Sequence, residues 1–375
     1  MREKDQNQPI LSIIIPTRNR QKYAIESIAS ILQAIDQDCE IVVQDNSDIS
    51  SLENILPSDP RIVYHYSNER LSFVDNFSEA YKQSSGRYIC FIGDDDTVTN
   101  DICDIVRFAD QEGIDAVVSR PIVSYEWPDQ KHGQKGMLSF CNKERKIIRI
   151  HPKSELSKLM QEGCITYMHR NLARAYHGIT SRSKFEEYCS LTNVYFGGLS
   201  PDIYSSVALS YVIDQAILIN YPFSIAGSCP ESGTSQSKRG EHTNSDLSIA
   251  PHFIGHSNYE WSSIVPRFYS VETIWADTAI HAMRDLGLPL SKINKSMLYA
   301  HCLLKHLNYS REITKCARSN HVFKASIVIA TLKDILKVMI RKLRQSNMTT
   351  VEDVESLNDA QTFIGSIAAR HHHVH

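Results

Sequence analysis

The chain has 375 residues, of which 42% are hydrophobic and 22% charged, with 40 Lys+Arg against 43 Asp+Glu for a net charge of -3. That length exceeds one ordinary domain of roughly 100 to 200 residues, and the composition lets the chain bury a sizeable core, which excludes disordered, collagen-like and low-complexity classes. The near-neutral balance removes the basic footprint of a nucleic-acid binder, so no nucleic-acid partner is expected.

No apolar run approaches the roughly 20 residues that cross a bilayer, and residues 1–9 are polar with no signal-peptide core, so a cytoplasmic location is expected. Nine cysteines without a C-x-x-C pair point to reduced thiols.

Leu11 to Ile15 is a continuous β-branched run, and Ile25, Ile28, Ile31, Leu32 and Ile35 follow at helical spacing. Glu40 to Val43 and Ile62 to Tyr66 read as strands, followed by a helix with Phe73, Phe77, Ala80 and Tyr81 on one face and Gly86 as its stop. Tyr88 to Ile92 is a fourth strand, Asp101 to Gln111 a helix, and Asp115 to Ser119 a fifth strand. Strands alternating with helices imply an α/β fold, a mostly parallel sheet covered on both faces, with ligands at the carboxyl ends of its strands.

Residues 131–149 are basic and turn-rich, and read as a hairpin or a loop over the site. Pro201 to Tyr211 reads as a helix, with Asp202 in its first turn. Residues 226–246, rich in glycine and serine, read as a long mobile loop, and beyond about residue 255 the pattern is mainly helical. His371 to His373 read as an unstructured tail. The expected division is a catalytic domain over 1–250 and a helical region over 251–375.

The strongest chemical signal is Gly93-Asp94-Asp95-Asp96, directly after the fourth strand. Adjacent carboxylates repel one another, and a hard divalent cation relieves that repulsion while leaving positions for a diphosphate. A solvated turn capping the next helix is the alternative.

Three segments stand in order at successive strand ends: LSIIIPTRNR (11–20), IVVQDNSD (41–48) and SSGRYICFIGDDDT (84–97). In these the chain resembles the family 2 glycosyltransferases of the GT-A fold, a Rossmann-like mostly parallel sheet flanked by helices. The likeness spans about residues 8–125, with Gly93 where many members carry a further aspartate.

The resemblance implies a metal-dependent, inverting hexosyl- or N-acetylhexosaminyltransferase of surface-polysaccharide assembly. Such an enzyme uses a nucleotide-sugar donor, UDP-sugar favoured, a glycan or lipid-linked acceptor, and Mn2+ or Mg2+. Pro16 and Thr17 would line the nucleotide pocket, Asp45 would contact base or ribose, and Asp94 and Asp96 would hold the metal. Arg20, Asn76, Asp95 and Lys238 complete the donor-binding candidates, and His242 is a further candidate ligand. The other readings are that Pro16 ends its strand and that Asp45 forms an Asx-turn with Asn46 and Ser47.

In related enzymes the catalytic base lies about a hundred positions after the metal motif, which points to Asp202 in Gly197-Gly198-Leu199-Ser200-Pro201-Asp202. Asp202 as a plain helix cap is the other reading. Residues 315–345 carry eight lysines and arginines against the single acid Asp334, on an amphipathic helix. That segment, over 322–344, is expected either to contact the inner face of the cytoplasmic membrane or to dock with its basic face in water.

Two competitors remain. A sugar-nucleotide nucleotidyltransferase needs a glycine-rich basic loop after the first strand, and PTRNR has no glycine. A non-catalytic carbohydrate-binding scaffold would not need Asp94, Asp96 and Asp202.

Overall fold

The structure, a computed structural model, describes residues 8–120, 123–129, 131–141, 145–233, 235, 239, 243–256, 259–344 and 348–372. Its strands are β1 (Leu11–Thr17), β2 (Cys39–Asp45), β3 (Ile62–Tyr66), β4 (Tyr88–Phe91), β5 (Thr97–Val98), β6 (Ala116–Ser119) and β7 (Val123–Glu126). They continue with β8 (Met137–Cys141), β9 (Ile147–Ile150), β10 (Gly178–Ser181), β11 (Ala216–Ile219), β12 (Ser224–Ser228) and β13 (Met348–Glu352).

Eight strands form the main sheet in the order β3-β2-β1-β4-β10-β6-β11-β9, parallel except for β10 and β9. Five others form a second sheet, β13-β8-β7-β12-β5. β1 alternates strictly between the two faces: Leu11, Ile13 and Ile15 join Ala24, Ile28 and Ile31 of the Gln21–Ala34 helix, while Ile14 joins Val74, Phe77 and Tyr81 of the Phe73–Lys82 helix. Both faces of β1 are buried, which is why its centre, Ile13 to Ile15, is a continuous apolar run.

β2 lies on one side of β1 and β4 on the other, so the order in which the parallel strands are laid down reverses at β1. In such a fold a crevice opens at this point, beyond the carboxyl ends of the strands. The β1–β4 ladder stops at Ile14, whereas β1 runs on beside β2 to pair Thr17 with Asp45. Pro16, which has no N–H to donate, sits in the stretch that has lost β4 as a neighbour. It therefore does not end the strand.

The α/β expectation holds, and the first four strands and the helices between them fall where the apolar periodicity put them. Gly86 plays a different part from the helix stop read in the sequence. The Phe73–Lys82 helix ends before it, and a Cβ at Gly86 would lie 2.5 Å from the Ser12 amide nitrogen, so glycine lets the chain cross close over β1.

Residues 131–149 do not form a hairpin with themselves: β8 belongs to the second sheet and β9 edges the first. The segment read as a mobile loop begins with β12, paired to β7 and β5. His371 and His372 close the Leu357–His372 helix instead of forming a tail, and His373 lies outside the described residues.

Beyond residue 255 the described chain is helical apart from β13, which pairs antiparallel with β8. The Leu357–His372 helix then returns to the first half of the chain, where Gln361 donates to the carbonyls of Ser30 and Val98 and the Leu357 amide donates to Glu26. Hydrogen bonds thus cross residue 250 repeatedly. Among the described residues no helix is long and apolar enough to cross a membrane, and all nine cysteines are free thiols.

Candidate active site

The crevice beyond β1, β2 and β4 gathers most of the residues nominated from sequence. Thr17, at the end of β1, donates its hydroxyl to Asp94 Oδ2 at 2.6 Å. Arg20, four residues after Pro16, places its guanidinium between two carboxylates, 2.9 Å from Asp94 Oδ1 and 2.8 Å from Asp95 Oδ2. Burial alone would lower the Arg20 pKa, but Asp94 and Asp95 outweigh it and raise it. The same burial, only partly offset by Arg20, pushes the Asp94 carboxyl up to about 7 and raises Asp95, where Asp96 adds repulsion.

Asp96 faces the other way. Its Oδ2 accepts from the Gly93 amide at 2.5 Å and the Tyr176 hydroxyl at 3.2 Å and lies 3.0 Å from His177 Nε2, while its Oδ1 accepts from the Gly227 amide at 2.6 Å. Burial pushes this carboxyl up, but His177 and the two amides prevail and hold it below the ordinary value. The sequence reading paired Asp96 with Asp94 as metal ligands. In the structure both Asp96 oxygens face protein donors, both Asp94 oxygens face Thr17 and Arg20, and Asp94 and Asp95 share the one guanidinium.

The second sheet closes this corner. β12 comes so near that a Cβ on Gly227 would lie 1.7 Å from the Asp95 carbonyl oxygen, so only glycine fits. Just after β12, the Cys229 amide donates to Asp95 Oδ2 at 2.9 Å, and the Trp127 indole donates to the Asp95 carbonyl at 3.0 Å. His177 is held from behind by Ser224, 3.0 Å from its Nδ1. Tyr176, His177, Trp127, Gly227 and Cys229 escaped the sequence reading because each lies 31 or more residues from the cluster with no local pattern around it.

Asp45 is fully buried, accepting from the Ser47 amide at 2.9 Å and the Tyr64 hydroxyl at 3.0 Å. The first of these is the Asx-turn considered from sequence. Asn76 donates to the Thr17 carbonyl at 3.4 Å, but its buried Oδ1 has no partner, and neither has the buried Nε of Arg20. Orphaned buried polar atoms are uncommon in folded proteins, and two at one crevice mark a place for a ligand.

Asp202 stands apart from this group, in the first turn of the Pro201–Val212 helix, where it accepts a hydrogen bond from Ser200. Burial raises its pKa against the Ser200 and Ile203 donors. It is nonetheless electrostatically in touch with the cluster. The Tyr176 phenol, pushed well above its ordinary value first by burial, also feels Asp96, Asp95, Asp202 and Asp94. Lys238 and His242 lie outside the described residues.

Asp94 and Asp95 offer hard oxygen donors of the kind that suit Mg2+ or Mn2+, and their mutual repulsion is relieved by positive charge between them. Among the described residues no group of three or more His, Cys, Asp or Glu forms a metal-holding set. The donors present therefore fit a cation that keeps several positions for water or ligand oxygens.

The chain is similar to known proteins over its first half. The profile of Glycosyl transferase family 2 matches residues 12–175. An uncharacterised glycosyltransferase of Rickettsia conorii is 37% identical over 103 residues, 26% of this chain and 17% of that protein. A GalNAc(5)-diNAcBac-PP-undecaprenol beta-1,3-glucosyltransferase of Campylobacter jejuni is 29% identical over 123 residues, 32% of this chain and 40% of its own. The chain thus spans less than half the length of these curated relatives. Among solved structures, residues 1–349 of S. aureus TarS with UDP-GlcNAc align with a TM-score of 0.45 at 17% identity, covering 85% of this chain and 79% of that one. The matched segment runs from the second residue of β1 to the residue before Tyr176 and takes in β1, β2, β4 and the whole acidic cluster. Residues 12–175 are thus similar to Glycosyl transferase family 2.

Proposed function

We propose that this chain is a glycosyltransferase that moves a sugar from a nucleoside-diphosphate sugar, UDP-sugar favoured, to a glycan or lipid-linked acceptor in surface-polysaccharide assembly. The observation that carries this reading is the buried Asp94–Arg20–Asp95 arrangement beside two orphaned polar atoms, inside the segment similar to family 2. The lipid-linked acceptor is supported by the Campylobacter relative, named for an undecaprenol-linked glycan, and the polysaccharide setting by a putative colanic acid biosynthesis glycosyl transferase of Escherichia coli, 33% identical over 97 residues.

Each residue has a part that its position supports. Asn76 Oδ1 accepts from a nucleoside hydroxyl or N–H, and Thr17 holds the Asp94 carboxylate in place. Pro16 and Asp45 shape the floor at the ends of β1 and β2. Asp94 and Asp95 hold the divalent cation, which when bound neutralises the diphosphate as the leaving group gains charge. Arg20 then exchanges carboxylate partners for phosphate oxygens, a bidentate geometry that suits guanidinium. Asp96 is a strut that fixes the backbone of the cluster through Gly93, Gly227 and His177.

Asp202 is the base that takes the proton from the acceptor hydroxyl during an inverting displacement. Burial raises its pKa above that of an ordinary aspartate, which strengthens it as a base. Lys238 and His242, on the segment after β12, complete the donor site in this reading.

The test is a thermal-shift panel of UDP- and GDP-sugars with and without Mn2+. A true donor at a hundred times its Kd raises stability by about 2.7 kcal/mol. Selective, manganese-dependent stabilisation by one nucleotide-sugar supports the reading, and no shift with any of them contradicts it.

A further inference from the structure

The Lys324–Arg344 helix is packed inside out. Its inner face meets the Lys295–Lys305 helix through Ile327 and Ala330, but its firmest attachments are polar. Asp334 is buried with its carboxylate 2.5 Å from His301 Nδ1, and the Lys337 ammonium lies 2.6 Å from Glu162 Oε1. The outer face carries the apolar side chains: Val328, Leu332, Leu336 and Met339 are 59%, 64%, 58% and 59% exposed, with Ile329 and Ile340 beside them. The 3.6-residue period joins these into one continuous stripe. A surface helix of an ordinary globular domain has the opposite arrangement, apolar residues inward and polar residues outward.

Charge narrows what covers the stripe. Helical periodicity puts Lys324 on one margin and Lys333 on the other, and both are exposed. Residues 315–345 hold eight lysines and arginines and one acid in a chain of net charge -3, so positive charge is concentrated here. On the preceding Ser310–Ser319 helix, Ile313 and Ala317 are buried while Arg311, Lys315 and Arg318 are exposed, lining an open concavity of about 480 Å³ with Ser310, Thr314 and Ser319. Phe323, 78% exposed, stands between the two helices.

Protein–protein interface cores are depleted in lysine, whereas an apolar stripe flanked by lysines matches the depth profile of an anionic bilayer surface, acyl chains below and phosphates beside it. With no described helix able to span a bilayer, the fit is in the plane of the surface. We propose that the Lys324–Arg344 helix docks on an anionic lipid surface, its outer stripe among the acyl chains and the exposed Arg311, Lys315, Arg318, Lys324 and Lys333 on lipid phosphates. The proposal is independent of the donor reading above, since it uses none of its residues.

The test uses the full chain and sedimentation with vesicles of phosphatidylcholine alone or mixed with phosphatidylglycerol. The wild type should sediment with the mixed vesicles and release as salt is raised. Leu332→Asp with Leu336→Asp should abolish binding. Lys315→Gln with Arg318→Gln and Lys333→Gln should weaken it about a hundredfold on mixed vesicles, from the lipid attraction of three basic residues. These positions face water, so an unchanged thermal melt separates a lost surface from a lost fold. Failure of the wild type to bind mixed vesicles, or equal binding by the aspartate variant, overturns the proposal. So does a dimer in light scattering that the aspartate variant dissociates while vesicles capture neither protein, because the stripe is then a contact between copies of the chain.

Discussion

At the end of β4 three aspartates lie buried, each with oxygens taken up by partners from distant parts of the chain. On the Lys324–Arg344 helix, apolar side chains stand in water while an aspartate and a lysine make the attachments. Both regions reverse the usual sorting of apolar in and polar out, one by enclosing charge and the other by exposing hydrocarbon. Buried charge costs stability unless it is paired, and exposed hydrocarbon costs solubility unless it is covered. The protein supplies the pairing at the first region with Arg20, His177 and backbone amides. It supplies no cover at the second among the described residues. The first is thus an enclosed and paired cluster, and the second an uncovered surface.

The largest expected effect lies beside the buried cluster. Asp202→Asn should lower kcat by about 10² to 10⁴ while leaving the donor Kd unchanged, measured by steady-state kinetics and calorimetry, since only a base is removed. Full turnover would take Asp202 out of the reaction. In the wild type, rate should fall as pH drops through a value above that of an ordinary aspartate, because burial raises this carboxyl and only its ionised form accepts the proton.

Arg20→Met leaves Asp94 and Asp95 buried without their cation, and should cost about 3 to 5 kcal/mol in urea unfolding. Mn2+ should then raise the melting temperature of the variant more than that of the wild type. An unchanged urea midpoint would mean that the guanidinium does not offset the buried carboxylates.

The joint under the C-terminal helices gives a smaller effect. Glu272 is buried and bonded to His306 Nε2 and Lys305 Nζ, each at 2.8 Å, and although burial raises its pKa these partners hold it below the ordinary value. A depressed carboxylate contributes stability above its unfolded pKa of about 4.3 and loses it as pH falls toward the folded value. Glu272→Gln should cost about 2 kcal/mol at pH 7, with the difference from wild type shrinking below about pH 4. A difference constant with pH would contradict the pairing.

The smallest effect sharpens the contrast most. Leu332→Asp should change stability by no more than about 0.5 kcal/mol, because its side chain already stands in water. Ala330→Asp, on the inner face of the same helix, should cost about 2 kcal/mol or more as an unpaired buried acid. Equal costs would show that the stripe is covered within the folded chain.

The first half of the fold was legible because both faces of β1, β2 and β4 are buried, which writes mostly apolar runs into the sequence. Asp94 and Asp95 were legible because three adjacent carboxylates have few local explanations. The surroundings of Asp96 were not, since Tyr176, His177 and Gly227 reach it only once β10 and β12 pair with their neighbours. β13 was missed because a short edge strand that is mostly exposed carries no apolar alternation. On the Lys324–Arg344 helix the periodicity showed an apolar face, but which face docks depends on His301 and Glu162, more than twenty residues away.

The central claim is that Asp94 and Asp95 form the cation and diphosphate site. Its most direct test is calorimetric titration of UDP into wild type and Asp95→Asn, each with and without Mn2+. The account requires manganese to tighten binding to the wild type and to leave binding to Asp95→Asn unchanged. An equal manganese effect on both proteins would place the nucleotide and its cation elsewhere.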